Sequence, residues 1–407
     1  MSKKQNNCAI EGLEPRRMLN GATVITPGMV PIGNKMPAWV NQMANSISAR
    51  IEKETGIKPS MYTLRVGKNS TTLTRDNGSS SLDATGDIIV KVNWASLSRK
   101  KSEAPYIGQE IFKKLIDGPT DSTFDGPLTE MPIHFIGHSR GVYANSAAVK
   151  FLGEAGIWVD QVTTLDGQRF GNDGAFGNWS NVRFADNEYQ YKSGRINVPA
   201  GFYVSGALNT NLVNMRGFRA FHPIDRHELV HTFYHGTIDL LAKNVDKKQI
   251  DRAGWYRTKR GQQPVTGFYF DQHESFGRPD LAIAVRGAER QPLSVFDPEI
   301  AWDNIEIFSV TSIPTDEYFA VSSRREDLNG DATIVTGLDT DMNPYDGSYV
   351  TTKPLSAADL SIDAEGEFTQ EFGTKSLNEG YYYVFVQITG ATGVRYAYAP
   401  TKVHIVP

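Results

Sequence analysis

Ser139 stands in Gly137-His138-Ser139-Arg140-Gly141, a Gly-x-Ser-x-Gly spacing that can present a hydroxyl on a sharp strand-to-helix turn. A hydroxyl is a poor nucleophile until a base takes its proton, and that base must be oriented by a carboxylate. Two carboxylates follow strand-like runs downstream, Asp166 after Thr163-Thr164-Leu165 and Asp186 one strand later. Beyond them His227 falls in the first turn of a helical stretch and His231 one turn deeper, so His227 is the better placed base. The backbone N–H of Arg140, at the start of the helix after the serine, can face a developing oxyanion.

The same histidines spell a rival chemistry. His227-Glu228-Leu229-Val230-His231 fits His-Glu-x-x-His, which puts two imidazoles on one helix face with a glutamate as base beside a zinc-bound water. A catalytic zinc needs a third protein ligand, and His235 lies on the same helix, where it cannot complete a tetrahedron with two i, i+4 neighbours. Asp225-x-x-Glu228 is also the spacing of a helix-capping box. The serine set is therefore the reading adopted, and it calls for no metal and no cofactor. A zinc hydrolase and a non-catalytic surface or adhesion protein are its alternatives.

A serine of this kind works only if an apolar strand runs into it and a helix runs out. Pro132 to Ile136 supply the strand, and Arg140 to Leu152 read as the helix, ended by Gly153. Around this unit the chain alternates strand and helix from residue 22 to about 240, the pattern of a mostly parallel sheet covered by helices. Ala22 to Thr26, Met61 to Val66, Asp87 to Trp94, Val159 to Leu165 and Asn181 to Ala185 read as strands. Trp39, Val40, Met43, Ala44, Ile47 and Ile51 recur at helical spacing between Pro37 and Gly56, a second helix starts near Pro105, and Asp225 can cap a last one. The stretches 171–180 and 189–221 are rich in Gly, Asn and aromatics and read as loops over a substrate site, those from Tyr189 to Phe221 lining an apolar pocket.

The chain has 407 residues, 40% of them hydrophobic, enough for more than one core. With 42 basic and 46 acidic residues it carries a formal charge of −4 and no long basic run, which argues against nucleic acid as a partner. A single cysteine, Cys8, excludes an internal disulfide. No apolar stretch approaches the ~18 residues of a membrane span. After about Asp303 short β-rich runs are separated by Asp, Asn, Gly and Pro turns, which reads as a separate all-β sandwich. Within it Asp339-x-Asp341-x-Asn343 and Asp327-x-Asn329-x-Asp331 place oxygens as calcium loops do, but neither continues as an EF-hand, so Asx turns are the expectation.

Taken together, Gly137 to Gly141, Thr163-Thr164-Leu165-Asp166, Phe184 to Gln190, His227 and Tyr234-His235-Gly236-Thr237 resemble the α/β-hydrolase domain of bacterial lipase-like proteins. Leu13-Glu14-Pro15-Arg16-Arg17-Met18-Leu19 resembles the LEPR-XLL leader motif that such proteins carry. The resemblance implies an α/β-hydrolase fold and a carboxylic ester, small or lipid, as substrate. It favours Asp166 over Asp186, because pancreatic-type lipases place the acid in a Leu-Asp sequence beside the elbow strand. It also makes the Met29 backbone N–H the second oxyanion donor, although Pro27-Gly28 replaces the usual His-Gly. The leader implies an envelope or extracellular location, and the tail, similar in texture to bacterial surface modules, implies cell-surface or glycan contact. The expected plan is a leader over 1–20, an α/β-hydrolase domain over 21–300 and a β-sandwich over 301–407.

Overall fold

In the computed structural model, residues 21–30, 35–55, 58–76, 86–121, 124–190, 201–214, 223–239, 268, 301–308, 312–326, 333–345, 347–354, 367–390 and 393–407 are described. The leader motif at 13–19, the Asp327 loop and most of the loop from Tyr189 to Phe221 lie outside them.

The first region is a sheet with helices on both faces. Its elements are β1 (Ala22–Thr26), α1 (Ala38–Thr55), β2 (Ser60–Val66), β3 (Thr71–Arg75), β4 (Ile88–Asn93) and α2 (Ala104–Asp117). There follow the short strands β5 (Thr120–Asp121) and β6 (Phe124–Asp125), then β7 (Ile133–His138), α3 (Gly141–Glu154), β8 (Val159–Leu165), β9 (Val182–Tyr189), β10 (Leu208–Asn211) and α4 (Pro223–Ile238). The eight-stranded sheet runs β10-β9-β8-β7-β1-β4-β2-β3. All its pairings are parallel except the β2–β3 hairpin.

Strands buried on both faces carry apolar residues at nearly every position, and Ile133 to His138 are buried throughout. One face packs on α2 and α3, where Ile107, Ile111 and Leu115 meet Val24, Phe135 and Val149. The other packs on α1 and α4, where Val40, Met43 and Ile47 meet Ile25, Ile136, Val230 and Phe233. Each such side chain contributes about 1.5–3 kcal/mol on burial. After β1 the chain moves toward β2, and after β7 it moves the opposite way toward β8. A parallel sheet opens a crevice at the carboxyl ends of such a diverging pair. Ser139 follows β7 there, and Gly28 and Met29 follow β1.

The β-rich region comprises β11 (Ala301–Phe308), β12 (Ser312–Pro314), β13 (Tyr318–Glu326), β14 (Thr333–Asp339), β15 (Tyr349–Pro354), β16 (Glu367–Gly373), β17 (Gly380–Gly390) and β18 (Gly393–Val406). They form a three-stranded sheet, β11-β13-β16, and a five-stranded one, β12-β18-β17-β14-β15. Phe319, Val321 and Phe372 of the first share a buried cluster with Leu338, Val384 and Ile405 of the second.

Two expectations need correction. The last helix starts at Pro223, whose missing N–H suits a first helical position, so Asp225 falls inside the helix rather than at its start. The stretch expected as a continuous loop after residue 189 contains a strand, β10, pairing with β9.

Candidate active site

The turn between β7 and α3 holds Ser139 at φ 56°, a left-handed conformation uncommon for a residue with a side chain. Its N–H donates to the Leu165 carbonyl at 2.8 Å, and its carbonyl accepts from Gln168 at 3.1 Å. The chain turns so tightly that a Cβ at Gly141 would sit 2.6 Å from the Pro27 carbonyl oxygen. The loop after β1 presses on the serine in the same way, since a Cβ at Gly28 would meet Ser139 Oγ at 2.9 Å. Met29, the next residue, is 41% exposed. Neither its N–H nor that of Arg140 has an acceptor among the described residues.

Asp166 leaves β8 at φ 48°, also left-handed, and is fully buried. Its Oδ1 accepts the N–H groups of Gln190 at 3.0 Å and Gly201 at 2.7 Å, and its Oδ2 accepts Gln190 Nε2 at 3.3 Å. The fourth donor is His227, whose Nδ1 lies 2.6 Å from Oδ2. With every contact a donor, Asp166 acts as an acceptor and fixes the proton on Nδ1, which leaves the Nε2 lone pair of His227 for other work. That nitrogen has no partner among the described residues. The His138 ring lies 4.6 Å from that of His227, and its Nε2–H donates to the His227 carbonyl at 3.1 Å. His227 is thus fastened to the residue directly before the serine. Burial, and after it the neighbouring His227, holds the His138 imidazole well below its ordinary range, so it is neutral.

Asp186 is not at His227. Its Oδ1 accepts from Thr163 Oγ1 at 2.6 Å and from Gln161 Nε2 at 3.3 Å, on the sheet face that carries His134 and is covered by Tyr234 of α4. Of the two carboxylates, Asp166 is the one brought to the histidine.

The His-Glu-x-x-His motif does not gather as a zinc set. His231 turns its Nε2 to Glu228 at 3.1 Å and stacks on Trp39 at 4.4 Å, while His235 bonds Ser46 at 2.8 Å. The ligand atoms that do cluster are those of His138, His227 and Glu228. Burial alone would raise the Glu228 carboxyl, but the His231 hydrogen bond and the histidines around it hold it below the usual carboxylate range. In the β-rich region Asp339, Asp341 and Asn343 accept the N–H groups of Asp341, Asn343 and Tyr345, the Asx turns expected.

Gln190 and Gly201, which hold Asp166, and Asp173, which pairs with Arg140 at 2.5 Å, carry no role in the sequence reading. Gln190 closes the Phe184–Gln190 stretch, but nothing in its type marks it as a carboxylate holder. Asp173 sits in a Gly/Asn-rich loop without a motif.

No protein-family model matches this sequence, and no curated protein does. Among solved structures, an endo-beta-1,4-mannanase from Thermotoga petrophila is 10% identical with a TM-score of 0.23, over 97% of this chain and 99% of that one. OgpA from Akkermansia muciniphila is 9% identical with a TM-score of 0.20, over 98% and 97%. A superoxide reductase (neelaredoxin) from Ignicoccus hospitalis is 11% identical with a TM-score of 0.18, over 26% of this chain and 82% of that one. At such TM-scores none of them bears on the fold or chemistry of this chain.

Proposed function

We propose that this chain is a serine hydrolase of the α/β-hydrolase type that cleaves a carboxylic ester through an acyl-enzyme. The observation that carries the reading is the buried Asp166–His227 pair, fastened through His138 to a serine in a left-handed turn. Ser139 attacks the ester carbonyl while His227 Nε2 takes its proton, and Asp166 stabilises the imidazolium. The oxyanion accepts the N–H groups of Arg140 and Met29, two donors that have no acceptor among the described residues. His227 then protonates the leaving alcohol, and water repeats the sequence to release the acid. On this reading residues 21–300 are the hydrolase domain, 301–407 an appended β-sandwich, and the leader motif directs the chain to the envelope or beyond.

Steady-state hydrolysis of a short soluble ester tests it. Ser139→Ala should lower kcat by roughly 10³-fold or more, whereas a chelator and Glu228→Gln should leave turnover standing. Activity that survives Ser139→Ala yet is lost to the chelator and to Glu228→Gln would establish zinc chemistry instead.

A further inference from the structure

Both proposed oxyanion donors are tied to a residue that this mechanism leaves unused. Ser98 lies in the turn after β4 and is completely buried. Its Oγ accepts the N–H of Val30, directly after Met29, at 3.0 Å, and donates to the Ala95 carbonyl at 3.0 Å. Its own carbonyl accepts Arg140 Nη1–H at 2.6 Å. Trp94, four residues earlier, donates its indole N–H to the Pro27 carbonyl at 2.8 Å. Residues 28 and 29 are therefore pinned on both sides, at 27 through Trp94 and at 30 through Ser98.

The Arg140 side chain completes the connection. Its Nε and Nη2 grip Asp173 at 2.7 and 2.5 Å, and its guanidinium lies 5.2 Å from the ring centres of both Trp94 and Phe170. A planar guanidinium with bidentate and stacked contacts has one orientation, so it fixes the backbone that carries it. The charge is balanced by Asp173 within hydrogen-bond distance, which leaves little net field for the oxyanion. What the pair supplies is position.

We propose that Ser98 is a positioning residue that sets the spacing between the Met29 and Arg140 N–H groups, with the Arg140 side chain and Asp173 as its anchor. The proposal rests on the serine-hydrolase reading. Oxyanion donors act only when placed where charge develops, and a misplacement near 1 Å costs about 10²-fold in rate.

A trifluoromethyl ketone reads this directly. Ser139 Oγ adds to its carbonyl carbon, the hydroxyl proton passes to His227, and the carbonyl oxygen becomes an oxyanion in the hole. In folded Ser98→Ala, kcat should fall and the ketone Ki should rise by the same factor, on the order of 10- to 100-fold. KM and the pH profile of kcat/KM should not move, because substrate contacts and His227 are untouched. Asp173→Asn should likewise lower kcat and raise Ki together, and it decides the matter if Ser98→Ala does not fold. An unmoved Ki in a folded variant, or a change confined to KM, overturns the positioning role alone. Failure of a fluorophosphonate to label Ser139 in the unsubstituted chain overturns the serine reading and this role with it.

Discussion

Asp166 is met by four donors while Asp186, one strand along, is satisfied by Thr163 and Gln161, and this difference decides which of them a histidine can use. Asp166→Asn should therefore lower kcat by about 10⁴-fold, because an amide no longer holds His227 in the tautomer that leaves Nε2 free. Asp186→Asn should leave kcat within a few-fold and act on stability. Comparing kcat and melting temperature of the two variants checks the assignment, and a larger kinetic loss at Asp186 would refute it. Gly28→Ala is a second residue-scale test. The added methyl would lie 2.5 Å from Ser139 Cβ, so kcat should fall in a folded protein as the Met29 loop is pushed off the serine. Full activity in that variant would show that the loop does not close over the hydroxyl.

Strand β9 carries a cost that periodicity does not reveal. Glu188 is fully buried and, among the described residues, neither carboxyl oxygen has a hydrogen-bond partner on another residue; burial, then the neighbouring Asp186, pushes its carboxyl well above the usual range. Between the unfolded value near 4.5 and that raised one the folded state binds the extra proton, so stability falls as pH climbs through this window. Glu188→Gln should hence melt higher than the unsubstituted chain at pH 7, with the gap closing below about pH 4. Equal melting temperatures at pH 7 would mean the carboxyl has found a partner. His134 works the other way, since burial pushes it down from 6.5 to about 3 and stability is lost as pH falls between those values. The elements themselves were largely legible, because β1, β4, β7 and β8 are β-branched, apolar and bounded by turns, and α1 repeats its apolar residues at helical spacing. β10 was not, because Leu208-Asn209-Thr210-Asn211 has a loop's composition and becomes a strand only by pairing with β9. The start of α4 is hidden in the sequence because Asp225 has the type of a cap while Pro223, two residues earlier, has the backbone of a first helical position. Within the site, spacing pointed to Ser139 and His227. The contacts of Asp166 with Gln190 and Gly201, and of Arg140 with Asp173 and Ser98, join residues from separate loops, and only the fold brings those together.

At the scale of the whole molecule, the β-rich region meets the first sheet at the amino ends of its strands. Arg395 bonds the Trp158 carbonyl and Asp160, each at 3.0 Å, and Asp160 in turn accepts the N–H of Ile133 at the start of β7. Tyr345 donates to the Pro127 carbonyl at 2.8 Å. Ile133 lies about 20 Å from Ser139 along an extended strand, so these contacts serve stability and not chemistry. Arg395→Ala should lower the melting temperature by roughly 2–6 °C and leave kcat/KM unchanged. A kinetic loss without a thermal one would place the β-rich region in the catalytic unit. The central claim, a serine made nucleophilic by an Asp166-oriented His227, is tested most directly by treating the full chain with a fluorophosphonate and mapping the adduct by peptide mass spectrometry. One stoichiometric adduct on Ser139 is expected, absent in Ser139→Ala and strongly slowed in His227→Ala; an unlabelled Ser139 in a chain that hydrolyses esters would contradict this mechanism.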